Sequence, residues 1–267
     1  MSEELIIRTH ELTIGYQRKK ASYPVQTALN LNVYRGELVC LIGPNGCGKS
    51  TLLRSISGLQ PSLRGDIYIE DLPLQKQSLK EKAKLIALVL TDKVEINNLT
   101  VYELISMGRN PYTDWLGTLS EEDKEKVRTA IGQVHLEGYE NRFLNELSDG
   151  ERQRAMIAKA LVQDTPVILL DEPTAHLDLP NRVEIMILLR TLANETNKAV
   201  ILSTHELDLA LQAGDKLWLM SPKQGGIIIG TPEELIHNNS IQTVFANHSF
   251  SFAGDNGSIR INFASNR

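Results

Sequence analysis

The residues Gly43-Pro44-Asn45-Gly46-Cys47-Gly48-Lys49-Ser50-Thr51 are of the types that hold phosphate. Glycines let the backbone curl until successive N–H groups point inward at anionic oxygens, an approach that side chains would block. In the G-x-x-x-x-G-K-[ST] spacing, the Lys49 ammonium is placed to reach β- and γ-phosphates and the Ser50 hydroxyl to ligate Mg²⁺. A second group lies far along the chain, where the apolar run Val167-Ile168-Leu169-Leu170 ends in Asp171-Glu172. Asp171 would hold Mg²⁺ through water, and Glu172 is placed to polarise an attacking water. Such carboxylates also occur simply as solvated strand ends; the phosphate loop upstream gives these their meaning. His205, after Val200-Ile201-Leu202-Ser203-Thr204, could bond a γ-phosphate and hold the water geometry, or could be an ordinary surface histidine.

These groups meet only if the chain supplies a sheet whose strand ends share one edge. The apolar run 37–42 reads as a buried strand before the phosphate loop, and Leu52-Leu53-Arg54-Ser55-Ile56 as helix after it. Runs 167–170 and 199–202, separated by a helical pattern around 182–192, give a β-α-β order and hence parallel pairing. Residues 5–14 and 28–34 instead alternate with a period near two, predicting an antiparallel layer, with the polar stretch 17–22 as a loop. Tyr16, at the end of the first strand, could stack on a purine base or simply pack. Residues 65–70 and 85–90 are further strand candidates. From Thr91 to about Lys159 the pattern is helical, with capping-box spacing at Thr100–Glu103 and a helix opened by Ser120-Glu121-Glu122-Asp123. The sequence predicts an α/β core over 1–90 and 160–230, a helical subdomain at 91–159, and an extension at 231–267. A turn at 222–226 leads into that extension, and Thr231-Pro232-Glu233-Glu234 begins its helix.

At 267 residues the chain suffices for one large domain or a core with an inserted subdomain. Its formal charge of −5, without a Lys/Arg-rich block, lacks the footprint of a nucleic-acid binder, and no nucleic-acid partner is expected. Two cysteines make no disulfide framework, which suits a reducing, intracellular setting, and Cys47 reads as a small-residue slot. The acidic Met1-Ser2-Glu3-Glu4-Leu5 lacks the features of a secretory signal. No run approaches the roughly eighteen apolar residues of a membrane span, so a place at a membrane would require a partner.

In order and spacing, five segments resemble the ATPase subunit of ABC transporters, from about Leu5 to Pro232. They are the phosphate loop, Leu147-Ser148-Asp149-Gly150-Glu151-Arg152-Gln153-Arg154, Leu169-Leu170-Asp171-Glu172-Pro173-Thr174, Ala175-His176-Leu177-Asp178 and Ser203-Thr204-His205-Glu206. The resemblance implies a P-loop NTPase with a RecA-like parallel-sheet core that binds ATP and Mg²⁺. Gly43, Pro44, Asn45, Gly46, Cys47, Gly48, Lys49, Ser50 and Thr51 would contact the nucleotide, and Tyr16 would stack on adenine. Ser148 and Gly150 would begin a helix whose N-terminus binds the γ-phosphate of ATP held by another copy, so the working unit is a head-to-tail homodimer. Asp178 would lie in the loop linking the two sites. Glu172, His205 and Lys49 are the implied catalytic groups; Ser50 and Asp171 serve the metal.

Three positions depart from the family. Asp149 replaces a glycine and Glu151 the usual glutamine, adding negative charge near a phosphate-binding helix end; Asp149 is expected to point away. Thr91 falls where a glutamine normally meets the metal, and being shorter it is expected to act through water. The segment Gly108-Arg109-Asn110-Pro111-Tyr112 looks like that of importers of iron–siderophore, haem and cobalamin, and also suits a helix ended by Gly108. The resemblance therefore implies a cytoplasmic subunit on the inner face of the cell membrane. It would power metal-chelate uptake with integral membrane permease subunits and, indirectly, a substrate-binding protein. The rival readings are a soluble ABC ATPase of DNA repair or translation, and a weakly hydrolysing regulatory module suggested by Thr91 and Asp149.

Overall fold

The computed structural model describes residues 4–18, 21–91, 98–115, 117–221, 226–245, 250–253 and 258–261. β1 (Leu5–Arg18) and β2 (Ala21–Leu29) pair antiparallel as far as Arg18 and Ala21. The polar stretch 17–22 is thus largely strand, not the expected loop: its polarity reports solvated side chains, while the backbone ladder continues beneath them. Residues 19–20 lie outside the described residues. The expected strand at 28–34 is broken. Ala28 takes φ +52, and β3 (Asn32–Tyr34) starts a new pairing with β1. The buried Thr9 hydroxyl spans the break, donating to Leu29 O at 2.9 Å and accepting from Leu31 N at 2.8 Å. Backbone groups freed by the break are thereby satisfied.

β4 (Leu38–Ile42) has every residue buried and feeds α1 (Lys49–Ile56). β5 (Arg64–Ile69) and β6 (Leu72–Pro73) return the chain to the antiparallel layer. α2 (Leu79–Leu85), begun by a Ser78–Glu81 capping box, takes the first residue of the 85–90 run, and β7 (Ile86–Val89) takes the next four. α3 (Val101–Ser106), α4 (Glu121–Gln133) and α5 (Asp149–Val162) each start at a capping box. Then come β8 (Val167–Asp171), α6 (Leu179–Thr196), β9 (Ala199–Thr204), α7 (Leu207–Ala213), β10 (Lys216–Ser221) and β11 (Gly226–Gly230). The predicted turn at 222–226 falls on 222–225, outside the described residues, and on Gly226, which begins β11. α8 (Pro232–His237) starts at Thr231 as expected, followed by α9 (Ser240–Val244) and a hairpin of β12 (Phe250–Ala253) and β13 (Ser258–Ile261).

Among the described residues the central sheet has the order β11-β10-β4-β9-β8-β7, parallel except for β11. Side chains alternate across it. Leu38, Cys40 and Ile42 of β4 face the core shared with α3–α6, whereas Val39 and Leu41 face a second core with α1 and the antiparallel layer. Burial on both faces explains why these strands read as unbroken apolar runs. No helix among the described residues is long and apolar enough to cross a membrane.

Candidate active site

Register fixes the stage. Ile42 of β4 lies opposite Thr204 of β9, and Asp171 of β8 opposite Ser203, so three strand ends stand in a row beside the phosphate loop. At Gly43 a Cβ would lie 2.4 Å from Met220 O, and at Gly48, with φ +108, it would lie 2.4 Å from Val25 Cγ1. Close approach excludes a side chain at both. α1 then begins with no side-chain cap and no acidic residue in its first turn. Its leading N–H groups lack a side-chain acceptor, which is the donor set that a phosphate fits. Lys49 is buried, its Nζ donating to Gly43 O at 2.9 Å. The Cys47 N–H donates to Pro44 O at 3.2 Å. Burial, opposed by Lys49, pushes the Cys47 thiol up, keeping it a neutral small side chain. The Tyr16 hydroxyl is 2.9 Å from Thr51 Oγ1, leaving the ring half exposed on a cleft of about 340 Å³. Asn45, Gly46, Lys49, Ser50 and Glu172 line the same cleft.

Across it stand the carboxylates. Ser50 Oγ donates to Asp171 Oδ1 at 3.1 Å, placing two hard oxygen donors together in a way that fits Mg²⁺. Ser203, fully buried, donates to the same Oδ1 at 2.6 Å and accepts from Glu172 N at 2.9 Å. One hydroxyl thereby orients both acids, a role that sequence reasoning missed; its signal was a small hydroxyl pair, Ser203-Thr204, at the end of an apolar strand. Glu172 has φ +49, a strained conformation held by these bonds. His205 Nδ1 stands 3.8 Å from Glu172 Oε2, beyond hydrogen-bond distance.

Ser148, Gly150 and Asp178 do not line this cleft. Ser148 caps α5, and Asp178 caps α6 by accepting from Asn181 N at 3.2 Å. Gly150 packs against Asn181, whose Oδ1 would lie 2.5 Å from any Cβ added there.

A family model described as ABC transporter matches residues 27–175. The chain belongs to that family. It is 41% identical over 218 residues to the petrobactin import ATP-binding protein FpuC of Bacillus anthracis, covering 81% of this chain and 79% of that protein. It is 35% identical over 240 residues to the iron(3+)-hydroxamate import ATP-binding protein FhuC of Bacillus subtilis, covering 90% and 87%. Its fold matches the dimeric structure of MJ0796, a bacterial ABC transporter cassette, with a TM-score of 0.73 at 28% identity, over 85% of this chain and 99% of that one.

In this ABC ATPase the departures from the family pattern have visible bonding. The Glu151 carboxylate accepts from Ser148 N at 2.7 Å and from Ser148 Oγ at 2.8 Å, bonds that hold its pKa below the usual carboxylate range. Asp149 lies 3.8 Å from Arg152 Nη1. The Thr91 hydroxyl donates to the main-chain oxygen of Asp171 at 2.7 Å, so it supports the end of the strand that carries this acid. Gly108 does not end α3 in a left-handed cap. A short 3₁₀ turn follows, and Gly108 is needed because a Cβ would lie 2.3 Å from Lys159 O of α5. Beside it Arg109, nearly fully buried, bonds Asp123 Oδ1 of α4 at 2.7 Å and Val162 O of α5 at 2.9 Å. Tyr112 covers the guanidinium at 3.9 Å, so this segment pins the helices together.

Proposed function

We propose that this ABC ATPase binds ATP in the cleft beside Tyr16, closes head to tail with a second copy, and powers import of a metal chelate, a ferric siderophore foremost, through a membrane permease on whose inner face it sits. The observation that carries the catalytic part is the Ser203 hydroxyl, which draws Asp171 and Glu172 together next to Ser50 and the uncapped start of α1. In this reading Lys49 and the α1 N–H groups balance charge on the β- and γ-phosphates. Ser50 and Asp171 would hold Mg²⁺, which when bound neutralises charge across the same phosphates. Glu172 accepts the proton of the attacking water, His205 holds the water and γ-phosphate in line, and Ser148 of the second copy completes the phosphate's ligands. Tyr16 offers its ring to adenine. The relatives named for petrobactin and iron(3+)-hydroxamate import support the substrate class, and the dimeric cassette supports the pairing.

Glu172→Gln is expected to bind ATP while turnover falls roughly 10²–10⁴-fold, the usual worth of a general base. Cells lacking the native chain should fail to take up a ferric hydroxamate, with rescue by wild type and not by Glu172→Gln. Hydrolysis at the wild-type rate by this variant would remove Glu172 as base. Unchanged uptake in the deletion strain would remove the transport assignment.

A further inference from the structure

Between Glu172 and α6 the chain runs through Pro173-Thr174-Ala175-His176-Leu177-Asp178, held by two short turns: Ala175 N donates to Glu172 O at 3.1 Å and Leu177 N to Thr174 O at 3.3 Å. Both Glu172 and His176 have positive φ, at 49° and 66°. Such conformations persist for side-chain-bearing residues only where the surroundings hold them. Two side chains of α6 reach back to this segment; Asn181 Nδ2 donates to Asp178 Oδ1 at 2.6 Å, and the second is an arginine. Arg182, in the first turns of α6, folds back and donates from Nε to Leu177 O at 2.6 Å.

The other end of the same guanidinium goes elsewhere. Its Nη1 lies 3.0 Å from Glu206 Oε1, on a carboxylate whose side chain is only 8% exposed. Neither Glu206 oxygen has a hydrogen bond of good geometry among the described residues, so the Arg182 charge is what balances this buried acid. Glu206 follows His205 directly, and its N–H is fixed on Thr204 Oγ1 at 3.0 Å at the end of β9. The path runs from Glu172 through the 173–178 segment, Arg182, Glu206 and His205, whose Nδ1 comes back to within 3.8 Å of Glu172 Oε2 without a hydrogen bond. Lysine would keep the charge but not the planar guanidinium that bonds Leu177 O with Nε while Nη1 lies beside Glu206 Oε1.

We infer that Arg182 is a positioning residue for hydrolysis: its fork clips the segment that follows Glu172 to the turn that carries His205, and so holds acid and imidazole in register. It acts on the alignment of these two groups and not on the grip of the phosphate loop. The inference rests on the catalytic roles proposed above for Glu172 and His205.

The test is steady-state hydrolysis of Mg-ATP by the full chain, with binding of ATP measured separately by equilibrium titration, in Arg182→Met, Arg182→Lys, Glu206→Gln, Glu172→Gln and the double variant Arg182→Met/Glu206→Gln. The double variant matters most, because it leaves no unpaired buried charge and so removes the clip without that cost to folding. It is expected to melt near wild type and to bind ATP within about twofold of wild type, with kcat down by about tenfold or more and KM little changed. Arg182→Met and the double variant should lose kcat to a similar degree, since both cut the same link. Arg182→Lys should recover stability without recovering kcat. The inference is overturned if the folded double variant turns over at the wild-type rate, if its loss appears in ATP affinity and not in kcat, or if lysine restores full turnover. Glu172→Gln separates the two claims. Its failure to lose activity overturns the assigned roles and this inference with them, whereas its inactivity beside a fully active double variant overturns the inference alone.

Discussion

Removing one oxygen atom, in Ser203→Ala, tests whether the two acids are held by the hub described above. Ser203 is fully buried, so its bonds are not screened by solvent. The bond to the Asp171 carboxylate, 2.6 Å long, is charge-assisted and worth about 1.5–3 kcal/mol. The bond from Glu172 N is neutral, and that N–H retains the Ser203 carbonyl at 3.2 Å, so its loss costs only about 0.5 kcal/mol. Asp171 keeps Ser50 as a donor at 3.1 Å, which limits the damage to about 2–3 kcal/mol in total. For a domain of this size that corresponds to a fall in Tm of roughly 4–10 °C. The functional loss comes from the same atom: with Glu172 less firmly held, misalignment worth about 1.4–2.7 kcal/mol lowers kcat by about ten- to a hundredfold. Differential scanning calorimetry and phosphate-release kinetics on one preparation give both numbers. A Tm within about 1 °C of wild type together with kcat within about twofold would refute the hub.

Glu151→Gln keeps a capping side chain on α5 and removes its charge. In a Glu172→Gln background it should lower the ATP concentration that drives dimer formation, read by size-exclusion chromatography with light scattering; an unchanged or raised threshold counts against competition between Glu151 and phosphate for Ser148. Thr91→Gln, which restores the residue the family places there, should raise the ATP turnover of the isolated subunit if the shorter threonine weakens basal hydrolysis; no change or a fall would count against that. At Asp123, burial works to raise the carboxyl pKa but is outweighed by the Ser120 hydroxyl, the Arg109 guanidinium and the Ser120 N–H, so the net shift is downward. A carboxyl lowered in the folded state contributes stability that is present above its unfolded pKa and is lost as pH falls through the folded value. Asp123→Asn should therefore flatten the acid limb of the stability profile below about pH 4, while Arg109→Met, which strands the buried acid, should cost about 3–5 kcal/mol at neutral pH by urea denaturation. An unaltered acid limb in Asp123→Asn would be the contrary result.

The parts of the site that could be read from sequence are those in which chemistry and conformation sit on contiguous residues. The phosphate loop needs only its own glycines and the helix they start, and Asp171-Glu172 needs only the apolar strand that precedes it. Capping boxes at Thr100, Ser120 and Thr231 announced three helices for the same reason. What escaped depends on partners distant in sequence. Ser203 orients Asp171 and Glu172 from 32 and 31 residues away. Thr9 repairs a strand break at Leu29 from 20 residues away. Gly108 resembles a helix terminator locally, yet its requirement comes from Lys159 on another helix. The polar stretch after Tyr16 was misread because pairing within β1 and β2 is a property of the backbone, to which side-chain polarity is blind.

The contrast between two helix starts gives the proposed cycle an order. α1 opens without a side-chain cap and without an acid in its first turn, so its dipole end is open to an anion. α5 opens with Ser148 engaged by Glu151 and with Asp149 and Glu151 both in the first turn, so its positive end is already answered by two carboxylates. A triphosphate can seat on α1 without breaking any side-chain cap there, whereas reaching α5 of a second copy means displacing charge-assisted bonds worth about 1.5–3 kcal/mol. In the proposed cycle, nucleotide binding and closure would then be separate steps, with affinity set by the phosphate loop and the closing threshold by Glu151. A transporter that must not spend ATP before its cargo is in place gains from that separation, because the second step can be left to the additional contacts a membrane partner supplies.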